Sequence, residues 1–180
     1  MYMSKRTIKV PLTVAGIDNA LKELKDYRRW LERKQKEFLD ALAQEGLQVA
    51  EAGFENAIYD GSNDVTCHIE DKGDRKRAVV AVGSTVLFIE FGTGILYPDD
   101  HPEGAENGMV RGEYGFGRGK NIWGWTYEAG EPGTNGVFVN QGRQRGRIHT
   151  FGNPANKALF RSKIELEERF TDIARRIFTR

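Results

Sequence analysis

Hydrophobic and polar positions along this chain fall into blocks of different period. In TIKVPLTV, residues 7–14, the apolar Ile8, Val10, Leu12 and Val14 alternate with their neighbours as in a half-buried strand. Pro11 has no amide to donate, which assigns that strand to a sheet edge. From Ile17 the apolar positions move to steps of three and four: Ile17, Ala20, Leu21, Leu24 and Leu31, then Phe38, Leu42, Val49, Ala50 and Ala57. Asp18 is placed to cap this helix, whose span of roughly 40 residues far exceeds the usual globular length of about 11–12. Two forms fit the pattern: two helices with a bend at residues 26–29, or one long helix standing out from the sheet. Gly46 and Gly53 soften the second half.

DGSND, residues 60–64, is a turn by composition, and DVTCHIE then alternates, with Val65, Cys67 and Ile69 on one face. After the charged turn DKGDRK, the stretch RAVVAVGS returns, completing an antiparallel hairpin around Gly73. VLFIEF, residues 86–91, is too short to fix its own period, and a strand is expected there. Residues 92–152 hold 15 of the 21 glycines and almost no helical periodicity. Glycine loses much backbone entropy on ordering, so such a stretch folds poorly alone. Its apolar pieces NIWGWTY and GVFVN are expected to pair as a hairpin across EAGEPGTN. The last element is a helix, capped by Asn153 with Pro154 at its first position, and with Ala158, Leu159, Ile164, Leu166, Phe170, Ile173, Ala174 and Ile177 as the apolar stripe.

These elements predict a single α+β domain over residues 1–180, a small mostly antiparallel sheet packed by a long N-terminal helix and a C-terminal helix. Residues 95–150 form an extended glycine-rich arm or loop within it. A chain of 180 residues is long enough to bury a core of its own. Charge adds little direction, because 27 Lys and Arg stand against 26 Asp and Glu, so any case for a polyanion partner must be local. The single cysteine, Cys67, excludes an internal disulfide and a cysteine-based metal cluster, and suits synthesis in a reducing cytoplasm. No run has the length needed to span a bilayer, so no membrane association is expected.

Candidate chemistry is sparse. GFGRGK, residues 115–120, has Tyr114 where a phosphate loop needs glycine and Asn121 where it needs Ser or Thr. Asp99, Asp100 and His101 crowd together in YPDDHP, but three adjacent residues on an irregular segment rarely point at one ion, and neither His68 nor His149 completes a metal-ligand spacing. Glu90 has no sequence-near histidine or second carboxylate for proton transfer, so a surface position or an intersubunit salt bridge is expected for it. No serine lies in a nucleophile-elbow setting, and Cys67 sits where a small buried hydrophobe is expected. The expectation is therefore no enzyme: no catalytic residues, no cofactor and no metal. Arg111, Arg118, Lys120, Arg143, Arg145 and Arg147 are interleaved with Tyr114, Phe116, Trp123, Trp125 and Phe138. Such residues anchor protein interfaces and also follow phosphate backbones or stack on bases. With overall charge near zero, a protein interface is the first reading and a nucleic-acid-binding module the alternative.

The order of elements, with IEFGTG, a glycine-rich insertion and HTFGNPANKAL leading into the last helix, resembles the tail-completion or minor tail proteins of siphophage-type bacteriophages and prophages. The resemblance rests on Glu90, Phe91, Gly92, Thr93 and Gly94, followed at a distance by Gly152, Pro154 and Leu159. Asn156 departs from it, standing where a second proline is usual, and the insertion is longer than in compact members. The resemblance implies a structural virion protein of the tail or neck, made in the host cytoplasm. It implies a hexameric ring of this chain that meets other tail or connector proteins such as a terminator, tail-tube or stopper protein, with DNA contact secondary. In that setting Phe91 is expected in the core, Gly92 and Gly94 at a sharp turn, and Glu90 toward a neighbouring subunit or water.

Overall fold

A computed structural model describes residues 9–57, 63–92, 101–109, 124–129, 136–150, 152 and 154–179. The fold is α+β. Its first element is one unbroken helix, α1 (Val14–Glu55), of 42 residues. The cap is Thr13, whose Oγ1 accepts the Gly16 amide at 3.1 Å, and not Asp18. No bend develops at residues 26–29, where Arg28 instead pairs with Glu32 one turn on at 2.8 Å. The expected N-terminal edge strand does not appear among the described residues: residues 9–13 are irregular and Val14 is already helical. The period-two pattern there competes with a stronger helix start. Thr13 donates its amide to the Pro11 carbonyl at 2.8 Å, and that carbonyl lies against Gly16, where a Cβ would meet it at 2.4 Å.

The expected hairpin forms as β1 (Thr66–Asp71) and β2 (Arg77–Val82), antiparallel, with Thr66 opposite Val82 and Asp71 opposite Arg77. Gly73, at φ 106°, supplies the left-handed turn residue. Arg77 ties the hairpin to α1. Its guanidinium is nearly buried and donates to Asp40 at 2.7 Å, to Asp71 at 2.9 Å and to the Gly73 carbonyl at 2.7 Å.

Residues 86–91 form a helix, α2 (Val86–Phe91), where a strand was expected. The reason lies just upstream. The Asp64 carboxylate accepts the Ser84 amide at 2.7 Å and the Thr85 amide and hydroxyl at 3.3 and 2.8 Å, gathering the chain into a turn that launches the helix. Helical winding puts Ile89, Glu90 and Phe91 inside and leaves Leu87 and Phe88 partly exposed.

The glycine-rich third forms a second sheet of β3 (Trp125–Glu128), β4 (Val137–Phe138) and β5 (Arg147–Thr150), in the order β3-β5-β4. The expected pairing of NIWGWTY with GVFVN is therefore wrong in its connection. Both strands pair antiparallel with β5, Trp125 opposite Thr150 and Val137 opposite His149. RIHT has one strongly apolar residue in four, too little alternation to announce a central strand.

The last helix, α3 (Ala158–Phe178), begins four residues after Pro154, so neither Asn153 nor Pro154 starts it. It runs antiparallel to α1: Ala158 lies on Gly53, Ser162 on Gly46, and Phe170 and Phe178 both on Phe38. Gly46 and Gly53 are the points of closest approach. A Cβ at Gly53 would stand 2.7 Å from that of Ala158, and Ser162 Oγ donates to the Gly46 carbonyl at 2.8 Å. Between the helices and the first hairpin lies the core of Phe54, Ala57, Ile89 and Ala158, with Val65, Cys67, Ala81 and Leu159 around it. Burial, with Glu51 and Glu55 nearby, raises the Cys67 thiol pKa, so it behaves as a small hydrophobe. No described helix is long and apolar enough to cross a membrane.

Candidate functional site

Glu90 is not at the surface. Only 4% of it is exposed, and its carboxylate sits at the head of α3. Oε2 accepts the Leu159 amide at 2.8 Å and Oε1 accepts the Phe160 amide at 2.9 Å, across 69 and 70 residues of chain. The first-turn amides of any helix need acceptors, and Lys157, at the N-cap in a left-handed conformation, supplies none from its side chain. Glu90 stands in for a cap and brings its negative charge to the positive end of the helix dipole. Two backbone bonds hold the segments together: Asn156 donates to the Ile89 carbonyl at 2.8 Å and Lys157 to the Glu90 carbonyl at 3.1 Å.

His101 completes the group. Its Nδ1 accepts the Glu103 amide at 3.1 Å, which places the ring proton on Nε2, and Nε2 donates to Glu90 Oε1 at 3.1 Å. The ring is buried between Phe91, with centroids 4.5 Å apart, and Phe160 at 5.3 Å. Above it, Lys163 pairs with Glu103, which raises the lysine's pKa. A buried glutamate–histidine pair is the raw material of acid–base catalysis, but here both ring nitrogens and both carboxylate oxygens are engaged within the fold. The arrangement joins α2, the 101–109 segment and α3 into one unit. Sequence reasoning missed it because His101 lies 11 positions on and the amides 69. The available signal was a single acid within an apolar run.

Of the residues behind the resemblance, Glu90 and Leu159 meet directly. Phe91 is in the core, Gly92 ends α2 at φ 80°, Gly152 is buried at φ 108°, and Leu159 donates to Glu90. Pro154 is exposed just before α3, while Thr93 and Gly94 lie outside the described residues. Arg111, Arg118, Lys120 and Trp123 of the proposed interface also lie outside them, and Trp125 contributes the first backbone position of β3. Phe138 is 52% exposed on β4, beside an exposed turn carrying Arg143 and Arg145. Arg147 is occupied within the sheet, donating to Glu128 at 2.8 Å and to Gln144 at 3.0 Å. Among the described residues no cluster of His, Cys, Asp or Glu is arranged to hold a metal. An open groove of about 370 Å³ runs between α1 and the start of α3, where Asn156 Oδ1 is buried without a partner.

The apolar positions at the start of α1 are exposed. Val14, Ile17, Leu21, Leu24 and Leu31 are 79, 48, 50, 51 and 41% exposed. The same helical stripe is covered by α3 and the hairpin farther along α1, where Ala43, Ala50 and Phe54 are buried. No protein-family model matches this chain, and no curated protein or solved structure matches it either.

Proposed function

We propose that the chain is a structural subunit of a bacteriophage or prophage tail, completing the tail or joining it to the head through protein–protein contacts and without catalysis. The observation that carries this reading is the apolar stripe left bare on the first half of α1, a surface that isolated soluble proteins avoid at this length and that interfaces use. The resemblance to tail-completion proteins adds the setting. Its two motifs, far apart in sequence, meet at the bonds from Leu159 and Phe160 to Glu90, which gives them a shared physical reason. Exposed Val137 and Phe138 on β4 offer a second contact, suited to a neighbour in a ring.

Mixing the purified protein with tail-tube, terminator or stopper proteins is expected to give a discrete larger species by size-exclusion chromatography with light scattering. Deleting residues 108–147 is expected to weaken that assembly more than it lowers the melting temperature. Failure of the intact chain to associate with itself or any tail protein would remove this reading. A nucleic-acid role is the second reading, favoured by the exposed Arg143 and Arg145 beside Phe138. It predicts an affinity for DNA that falls steeply with salt, whereas an apolar interface persists.

A further inference from the structure

The bare half of α1 has a definite seam. Val14, Ile17, Leu21, Leu24, Arg28 and Leu31 follow one another by steps of three and four, the spacing that brings side chains to one line on a helix packed against another. The seam is the continuation of the stripe that α3 covers. That cover gives out near Phe178, which packs on Phe38, so the helix beyond is rooted in the folded domain, and over residues 14–31, about 26 Å at 1.5 Å per residue, its apolar side chains Val14, Ile17, Leu21, Leu24 and Leu31 stay exposed. A rooted helix has already met the cost of nucleation and presents this face preformed.

Charge along the seam selects the occupant. Residues 14–23 carry two acids, Asp18 and Glu23, against one base, whereas residues 24–34 carry five bases against two acids. Laid antiparallel on itself, the segment sets its acidic end against its basic end. Leu21 of one copy then meets Leu24 of the other, Val14 meets Leu31, and Ile17 meets the aliphatic stem of Arg28. Asp18 comes beside Lys25 and the Arg28 guanidinium of the second copy. A parallel pairing would set basic end on basic end and Arg28 on Arg28.

We propose that the projecting half of α1 is a homotypic docking arm, through which two copies of this protein pair antiparallel along Val14, Ile17, Leu21, Leu24 and Leu31. This deepens the assembly reading, on which it rests, by naming the partner of that surface. A contact of this kind is two-fold and closes on itself, so any ring must use other surfaces, such as β4.

Analytical ultracentrifugation of the full chain is expected to show a concentration-dependent species with an even number of subunits. The double substitution Ile17→Asp with Leu24→Asp is expected to raise its dissociation constant at least about tenfold. Both positions are exposed in the single subunit, so the variant should keep the wild-type melting temperature at dilution. Orientation is read in a Cys67→Ser background. A Val14→Cys chain mixed with a Leu31→Cys chain should form a disulfide-linked dimer, and Leu31→Cys alone should not. Assembly that is unchanged by the aspartates overturns the arm and leaves the assembly reading standing. Crosslinking of Leu31→Cys with itself overturns the antiparallel pairing. A chain that stays single at every concentration, whether it binds other proteins or anionic vesicles, overturns the homotypic arm.

Discussion

At the scale of single residues, Glu90 shows how one buried charge can be retained. A carboxylate removed from water costs several kcal/mol unless its oxygens find donors, and here two helix amides and His101 Nε2 supply them. Glu90→Gln keeps the shape and loses the charge, and it sets an NH2 group against a backbone amide. It is expected to destabilise the fold by about 2–3 kcal/mol, measured as a shift in the urea midpoint, whereas the exposed Glu106→Gln should change stability by less than about 0.5 kcal/mol. Glu90 was expected at the surface or in an intersubunit salt bridge because an acid's burial depends on partners, and its partners are distant in the chain. Core membership of Phe91 was expected from the resemblance, and Phe91 is buried. The tautomer of His101, and with it the direction of its bond to Glu90, follows only from the Glu103 amide in three dimensions.

Elements were legible in proportion to their length. α1, the β1–β2 hairpin and α3 repeat their period often enough for the pattern to be read through local exceptions such as Gly46 and Gly53. Their ends were not, because Thr13 and Glu90 took the capping roles expected of Asp18 and Asn153. The six residues of α2 and four of β5 contain less than two full periods of helix and few of strand, so their conformation is set by what they touch. Asp64 decides the first case. Its three bonds to Ser84 and Thr85 hold its pKa well below the usual carboxylate range, the Ser84 amide contributing most. A lowered folded-state pKa stabilises above the unfolded value and loses that contribution as pH falls. The stability gap between wild type and Asp64→Ala should therefore be full above about pH 5 and narrow between about pH 4 and 2, followed by denaturant midpoints. Helix crossing offers a second test, since glycine to alanine normally favours a helix by about 1 kcal/mol. At Gly53 the new methyl would overlap Ala158, and overpacking of this kind costs about 1–3 kcal/mol. Gly53→Ala is thus expected to destabilise on balance, as calorimetry would report.

For the whole molecule, the buried core and the proposed docking arm lie in different parts. α3, the first hairpin and the second half of α1 share the core, while residues 14–31 carry exposed side chains. Removing residues 1–26 is expected to lower the melting temperature by no more than about 4 °C, read by circular dichroism, and to abolish pairing through the arm. The contact between Ser162 and Gly46 spans 116 positions. Of the elements described, α3 is the last to be synthesised, so the Gly46–Gly53 face of α1 emerges from the ribosome long before its lid exists. Until residues 158–178 arrive, the nascent chain shows an uncovered greasy ridge, broken at Arg28, from Val14 to Phe54. Chaperone capture of the unfinished chain is the expected consequence of that two-glycine crossing.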